Sequence, residues 1–127
     1  MKTVIKIANG QGFWGDSVQA PIDLINNSDI DYLTLDYLAE VTMSIMQKQK
    51  NRNKDEGYAK DFVDLISTVK DQLIKKNIKI ITNAGGVNPN ACSAKLKELF
   101  QEKNSKIKIG IIEGDNILND IDFLLSK

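Results

Sequence analysis

Apolar residues along this chain fall into short runs of period two separated by longer runs of helical period. Residues 3–8 (TVIKIA) form the first predicted strand, cut off at Asn9-Gly10. Residues 17–26 read as a helix capped by Asp16 or Ser17, with Pro21 in about its first turn. Residues 31–35, carrying Tyr32, Leu33 and Leu35, are the second predicted strand. From about residue 38 to residue 50 the period is helical, with Leu38, Val41 and Ile45 on one stripe. A polar stretch, residues 50–56 (KNRNKDE), reads as a solvated connection to a longer helix over residues 58–76. There Phe62, Leu65, Ile66, Val69 and Leu73 recur on one face. Residues 78–82 (IKIIT) are the third predicted strand, and Asn88-Pro89 supplies a cap followed by proline at the first helical position. Cys92, Leu96, Leu99 and Phe100 line that helix; residues 107–112 are a fourth predicted strand, and residues 115–125 a last helix bearing Ile117, Leu118, Ile121, Leu124 and Leu125.

Such alternation predicts a single α/β domain over residues 1–127. The expected architecture is a four-stranded parallel sheet with right-handed crossovers and helices on both faces, a three-layer Rossmann-like or flavodoxin-like half. The outermost strand of such a sheet is left unpaired unless something covers it.

Composition removes several kinds of chemistry. The 17 basic and 17 acidic residues cancel, so nothing electrostatic favours nucleic acid or an anionic membrane as partner. No apolar run is long enough to span a membrane, and Lys6 interrupts the apolar start that a secretory signal would need. Cys92 is the only cysteine, which allows no internal disulfide and fits a cytoplasmic setting. With no histidine, neither a His base nor a His-ligated zinc site can be built from this chain alone. Arg52 is the single arginine and lies in the polar stretch, so an anionic ligand would depend mainly on backbone N–H groups.

In a parallel sheet all strand C-termini share one rim, and ligands bind there. The four predicted post-strand loops are residues 9–17 (NGQGFWGDS), 36–40 (DYLAE), 83–89 (NAGGVNP) and 113–116 (EGDN). They concentrate glycines, amides, carboxylates and the only tryptophan. Gly10, Gly12 and Gly15 spell G-x-G-x-x-G, with Asp36 where a ribose-binding acid would stand, so dinucleotide binding is one reading. Against it, Phe13 and Trp14 crowd the place where a pyrophosphate must approach. Gly85 and Gly86, ahead of the Asn88-capped helix, could cradle a phosphate or carboxylate; equally they could simply make the turn. Asp16, Asp36, Glu40, Glu113 and Asp115 could hold Mg²⁺, or one could serve as a base with a raised pKa. Asp16 and Asp115 also read as helix caps, and Glu40 as an acid favouring a helix N-terminus. Trp14 and Tyr37 could wall a pocket for an apolar substrate. Cys92, Met43 and Met46 read as packing, with no catalytic part.

Four stretches carry a family resemblance: residues 9–17, residues 31–45 (DYLTLDYLAEVTMSI), residues 57–63 (GYAKDFV) and residues 82–89 (TNAGGVNP). Through them essentially the whole chain resembles the acyclic terpene utilization (AtuA) family. The glycine pattern is then that family's own GxGFWGD loop. The resemblance implies bacterial catabolism of acyclic terpenes through acyl-CoA intermediates, and it matches only the N-terminal segment of longer family members. This chain is accordingly expected to be a fragment or the small subunit of a split protein, and a homo-oligomer or one part of an assembly with a second subunit. On this reading Asp16, Asp36 and Glu40 are the candidate catalytic carboxylates. Gly10, Gly12, Phe13, Trp14, Tyr37, Asn83, Gly85, Gly86, Asn88 and Glu113 are the candidate substrate-binding residues, with no metal assigned and the cofactor open. A non-catalytic binding or assembly module and a nucleotide-binding domain are the competing readings.

Overall fold

The computed structural model describes residues 3–101 and 107–127. Strands β1 (Ile7–Gln11), β2 (Tyr32–Leu35) and β3 (Lys79–Thr82) form a parallel sheet in the order β1-β2-β3. Helix α1 (Gln19–Asn27) joins the first two strands; α2 (Glu40–Arg52) and α3 (Lys60–Lys76) join the second and third. Helix α4 (Pro89–Gln101) follows β3, and the chain ends in a 3₁₀ turn, Leu118–Asp120, and a five-residue helix, α5 (Ile121–Leu125).

The sheet register places Ile7, Tyr32 and Lys79 abreast in one row and Asn9, Thr34 and Ile81 in the next. These residues share a face because side chains alternate along a strand. The intervening positions face the helices, and Leu33 and Leu35 are buried there. Strands added in one direction by right-handed crossovers place their helices on one side. Accordingly α1 packs on β1 and against α3, and α3 packs against α4. Ile25, Phe62, Leu65, Ile66, Val69, Leu73, Cys92 and Leu96 complete the core, with Tyr37 meeting Phe62 edge-on at 5.9 Å between ring centroids. The stripes of α3 and α4 are the ones the sequence periodicity marks.

Three expectations are corrected. Among the described residues the sheet has three strands, not four: residues 107–112 join no ladder, although Ile109 packs half-buried against the core. Helices do not cover both faces either. Ile7 is 67% and Ile81 58% exposed, so the α/β/α expectation gives way to a sheet with one bare face. The apolar stripe of the predicted last helix is exposed at Ile117, Leu118, Ile121, Leu124 and Leu125. Periodicity reports a face that could be buried; it does not supply the surface that buries it.

β1 also lies later than predicted, because Gly10 is a strand residue and not a terminator. A Cβ at Gly10 would stand 3.1 Å from Leu33 Cδ1, Leu35 Cδ2 and Pro21 Cβ, so glycine lets α1 sit close on the sheet. The stripe assigned to α2 is displaced as well: Val41 and Ile45 are exposed and Met46 is fully buried. The cause is the path of this helix. It leaves the C-terminal end of β2, and its far end is fastened to the same rim. Lys50 Nζ donates to Val87 O at 2.7 Å, and Asn88 Nδ2 donates to the carbonyls of Lys54 and Glu56, both at 2.8 Å. A helix lying across the strand ends touches loops along a narrow line instead of burying a broad stripe.

Cys92 is buried among apolar side chains, which pushes its thiol up to about 11. At pH 8 an aromatic disulfide reagent is therefore expected to leave Cys92 unmodified in the folded protein and to titrate it fully in denaturant. Rapid modification without unfolding would contradict the packing of α4.

Candidate functional site

The first post-strand loop is closed by its own acid. Asp16 Oδ2 accepts the Gly12 N–H at 3.0 Å and Asp16 Oδ1 the Ser17 N–H at 2.7 Å, while the Asp16 N–H returns to Phe13 O at 3.1 Å. These donors, Gly12 first, hold the Asp16 carboxyl below its ordinary pKa. The carboxylate thus occupies the N–H groups that a phosphate would need, which is unfavourable for the dinucleotide reading. Trp14 Nε1 donates to Asp61 Oδ1 at 2.9 Å, fastening the loop to the first turn of α3. Phe13 projects into solvent at 59% exposure.

Asp36 and Asn83 join the second and third loops directly. Asn83 Nδ2 donates to Asp36 Oδ1 at 2.6 Å, and Asn83 Oδ1 accepts the Tyr37 N–H at 2.7 Å. The Leu38 N–H also reaches Asp36 Oδ1, at 3.1 Å, and the Asp36 N–H donates to Gln11 O at 3.0 Å. One continuous set of bonds therefore crosses the ends of all three strands. The Asn83 amide, with the Leu38 N–H behind it, lowers the pKa of Asp36. Asp16 and Asp36 are both shifted opposite to the raised pKa that would suit a general base at neutral pH. They are standing acceptors of hydrogen bonds.

The sign of these shifts sets a pH dependence. Carboxyls depressed in the folded state contribute stability above the unfolded value of about 3.9, and that contribution is lost as pH falls through the folded values below it. Asp36→Asn is expected to flatten this acid limb in urea titrations at successive pH values. An unchanged limb would show that Asp36 titrates normally.

Below this line Tyr37 is buried, and burial, with the Asp61 carboxylate second, raises its pKa well above the usual tyrosine value. Its hydroxyl stands beside the Gln11 amide. Gln11 is only 3% exposed; its Nε2 donates to Phe13 O at 3.2 Å, and its Oε1 has no hydrogen-bond partner among the described residues. Neither Gln11 nor Asp61 stands out from loop composition alone. A polar residue at the buried end of a strand, and an acid at a helix start opposite the lone tryptophan, were the available signals.

The third loop is used for packing. Gly86 has φ +54°, and a Cβ there would fall 2.3 Å from Met46 Sδ and 2.7 Å from Gly57 O. The Gly86, Val87 and Asn88 N–H groups donate to Asn83 O, Gly57 O and Gly85 O, each at 3.0 Å. With Met46 of α2 seated on Gly86 and these amides committed, the turn reading of Gly85-Gly86 is the one the geometry supports. Asn88 caps α4, accepting the Ala91 N–H at 3.4 Å, while its amide anchors the end of α2. Glu40 lies in the first turn of α2. Glu113 accepts from Asn90 Nδ2 at 2.6 Å, near the start of α4. The candidates thus divide: Gly12, Phe13, Trp14, Asp16, Asp36, Tyr37 and Asn83 belong to one bonded rim, whereas Gly86 seats α2, Asn88 holds the segment that follows α2, and Gly85 packs against Pro89. Gly10 serves the contact between α1 and the sheet.

An open cavity of about 440 Å³ at the opposite end of the sheet is lined by Asn27, Ser28, Asp29, Ile30 and Lys76. Lys76 Nζ donates there to Ile25 O and Asn26 O at 2.7 Å, closing the end of α1. Among the described residues no three Cys, Asp or Glu side chains gather as a metal-ion cage, and no helix is long and apolar enough to cross a membrane.

Fold and rim together define an α/β protein of the parallel-sheet class, with polar groups from successive loops tied together at the strand C-termini. The chain belongs to the acyclic terpene utilisation AtuA family: the family described as acyclic terpene utilisation family protein AtuA matches residues 5–127. Comparisons with curated proteins and with solved structures gave no match.

Proposed function

We propose that this chain is a component of a bacterial catabolic enzyme that binds a small acyl substrate at the rim formed by Trp14, Asp36 and Asn83. The observation that carries this reading is the Asp36–Asn83 bond, which joins the loops after β2 and β3 beside the loop after β1 and presents the exposed Asp36 carboxylate as an acceptor for a ligand hydroxyl or N–H. Phe13 and Trp14 offer apolar surface for the hydrocarbon part.

The rim carries Asp16 and Asp36 without a lysine or arginine among its bonded groups, which disfavours polyphosphate there. If the substrate is an acyl-CoA, the acyl end belongs at this rim and the nucleotide end on a partner subunit. Family membership supports a role related to terpene utilisation. Gly12, Trp14, Asp36 and Asn83 would orient the substrate, and the partner would supply the proton-transfer group that two depressed carboxylates do not provide.

Titration with branched-chain acyl-CoA and with the matching free acids, followed by Trp14 fluorescence, tests this. A saturable change that Asn83→Ala removes would support the rim. A response to NAD, FAD or ATP instead would favour a nucleotide-binding domain. A second reading, a non-catalytic assembly module, is favoured by the bare sheet face; it requires Asp36→Asn to leave function intact.

A further inference from the structure

The bare face of the sheet and the C-terminal segment are two exposed apolar surfaces with opposite electrostatic character. The face consists of the Ile7–Tyr32–Lys79 and Asn9–Thr34–Ile81 rows, which contain no acid. Lys79 Nζ lies 5.1 Å over the Tyr32 ring, placing a cation at its centre. The C-terminal segment, residues 113–127, bears Glu113, Asp115, Asp120 and Asp122 against Lys127. Its apolar side chains are wet: Phe123 is 61% and Leu125 82% exposed. A helix as short as α5 has little stability of its own and gains it by docking its apolar side. The segment starts beside α4, which packs against α3, and Asn90 of α4 holds Glu113 there.

We infer that two copies of this chain pair by reciprocal exchange, the acidic apolar C-terminal segment of each docking on the bare, Lys79-bearing sheet face of the other. One chain carries both halves of the contact, and an isologous pair uses each twice. The inference rests on the sheet face and the C-terminal segment and is independent of the rim reading.

Sedimentation equilibrium of the full chain across a concentration series tests it, with Ile81→Asp altering the face and Phe123→Ser the segment. Both side chains are exposed in the single chain, so far-ultraviolet circular dichroism is expected to stay unchanged in each variant. The wild type is expected to dimerise, and each variant to weaken dimerisation at least tenfold. Mixing the two variants restores one intact segment-to-face contact, so a heterodimer weaker than the wild-type dimer is expected. A wild type that stays monomeric at all concentrations would overturn the inference. So would a dimer indifferent to both substitutions. Absence of the heterodimer would point to sheet-on-sheet stacking and overturn the exchange. Amide protection of residues 117–125 in a monomer would show the segment docking on its own chain, which also overturns it.

Discussion

Gly86→Ala is expected to destabilise the protein by about 3 kcal/mol, within the range for a side chain forced into filled space and a left-handed backbone. The added methyl group would overlap Met46 Sδ and Gly57 O at a residue whose φ is +54°. A sulfur atom on a flexible side chain can move; the Gly57 carbonyl belongs to a backbone held by the Val87 N–H and cannot move cheaply. Relief must come from lifting α2 off the rim, which also strains the bonds from Lys50 and Asn88. Urea denaturation would show the midpoint shift. Met46→Ala in the same background should recover part of the loss, because it removes one of the two obstacles while leaving a cavity. Stability equal to the wild type would mean that α2 does not sit on Gly86.

Asn83→Ala is expected to have the largest effect on function. The substitution removes the donor to Asp36 and the acceptor of the Tyr37 N–H, leaving that part-buried N–H unpaired. Loss of such a partner costs about 1–3 kcal/mol of stability. The functional loss should be greater than this stability cost implies. With the second loop released from the third, Asp36 and Tyr37 no longer hold a fixed position, and misplacement by about 1 Å lowers turnover roughly a hundredfold. On the proposed function, activity of the chain with its partner, measured well below the unfolding temperature of the variant, separates the two effects. Asn83→Asp should be worse than alanine near neutral pH, since it places a second carboxylate against Asp36, and should improve as pH falls. Full activity in Asn83→Ala would remove the rim from the mechanism.

Much of the architecture was legible because it depends on local order. The stripe of α3, from Phe62 to Leu73, and the Asn88-Pro89 start of α4 are written in side-chain spacing and capping chemistry, and the structure has both. The parallel direction of the strands follows from strand–helix alternation; their order β1-β2-β3, which leaves the helices on one side, does not. The segment after α4 departs from its sequence pattern for a related reason. Its periodicity matches a strand and a helix, but among the described residues 107–112 join no ladder, although Ile109 packs half-buried against the core, and the apolar side chains of α5 are exposed. Val41 and Ile45 were misassigned because helical spacing cannot tell whether a helix runs along a sheet or across its end.

The site shows the same division. Residue types alone placed Asp16, Asp36, Asn83 and the glycines other than Gly10 on post-strand loops, because parallel strands bring all such loops to one edge. Which of them act together depended on distances between residues tens of positions apart. Asn83 meets Asp36 and Tyr37, Trp14 meets Asp61, and Gly86 receives Met46. By itself the sequence determined the class of fold, the core faces of its principal helices and the edge at which polar groups collect, since all three arise from propensity and short-range periodicity. Only the tertiary structure decided that Asp16 occupies its own loop, that α2 closes over the third loop, and that one sheet face is bare. Each of those outcomes is a contact between distant segments, and the free energy of such a contact is set by what else competes for the same space.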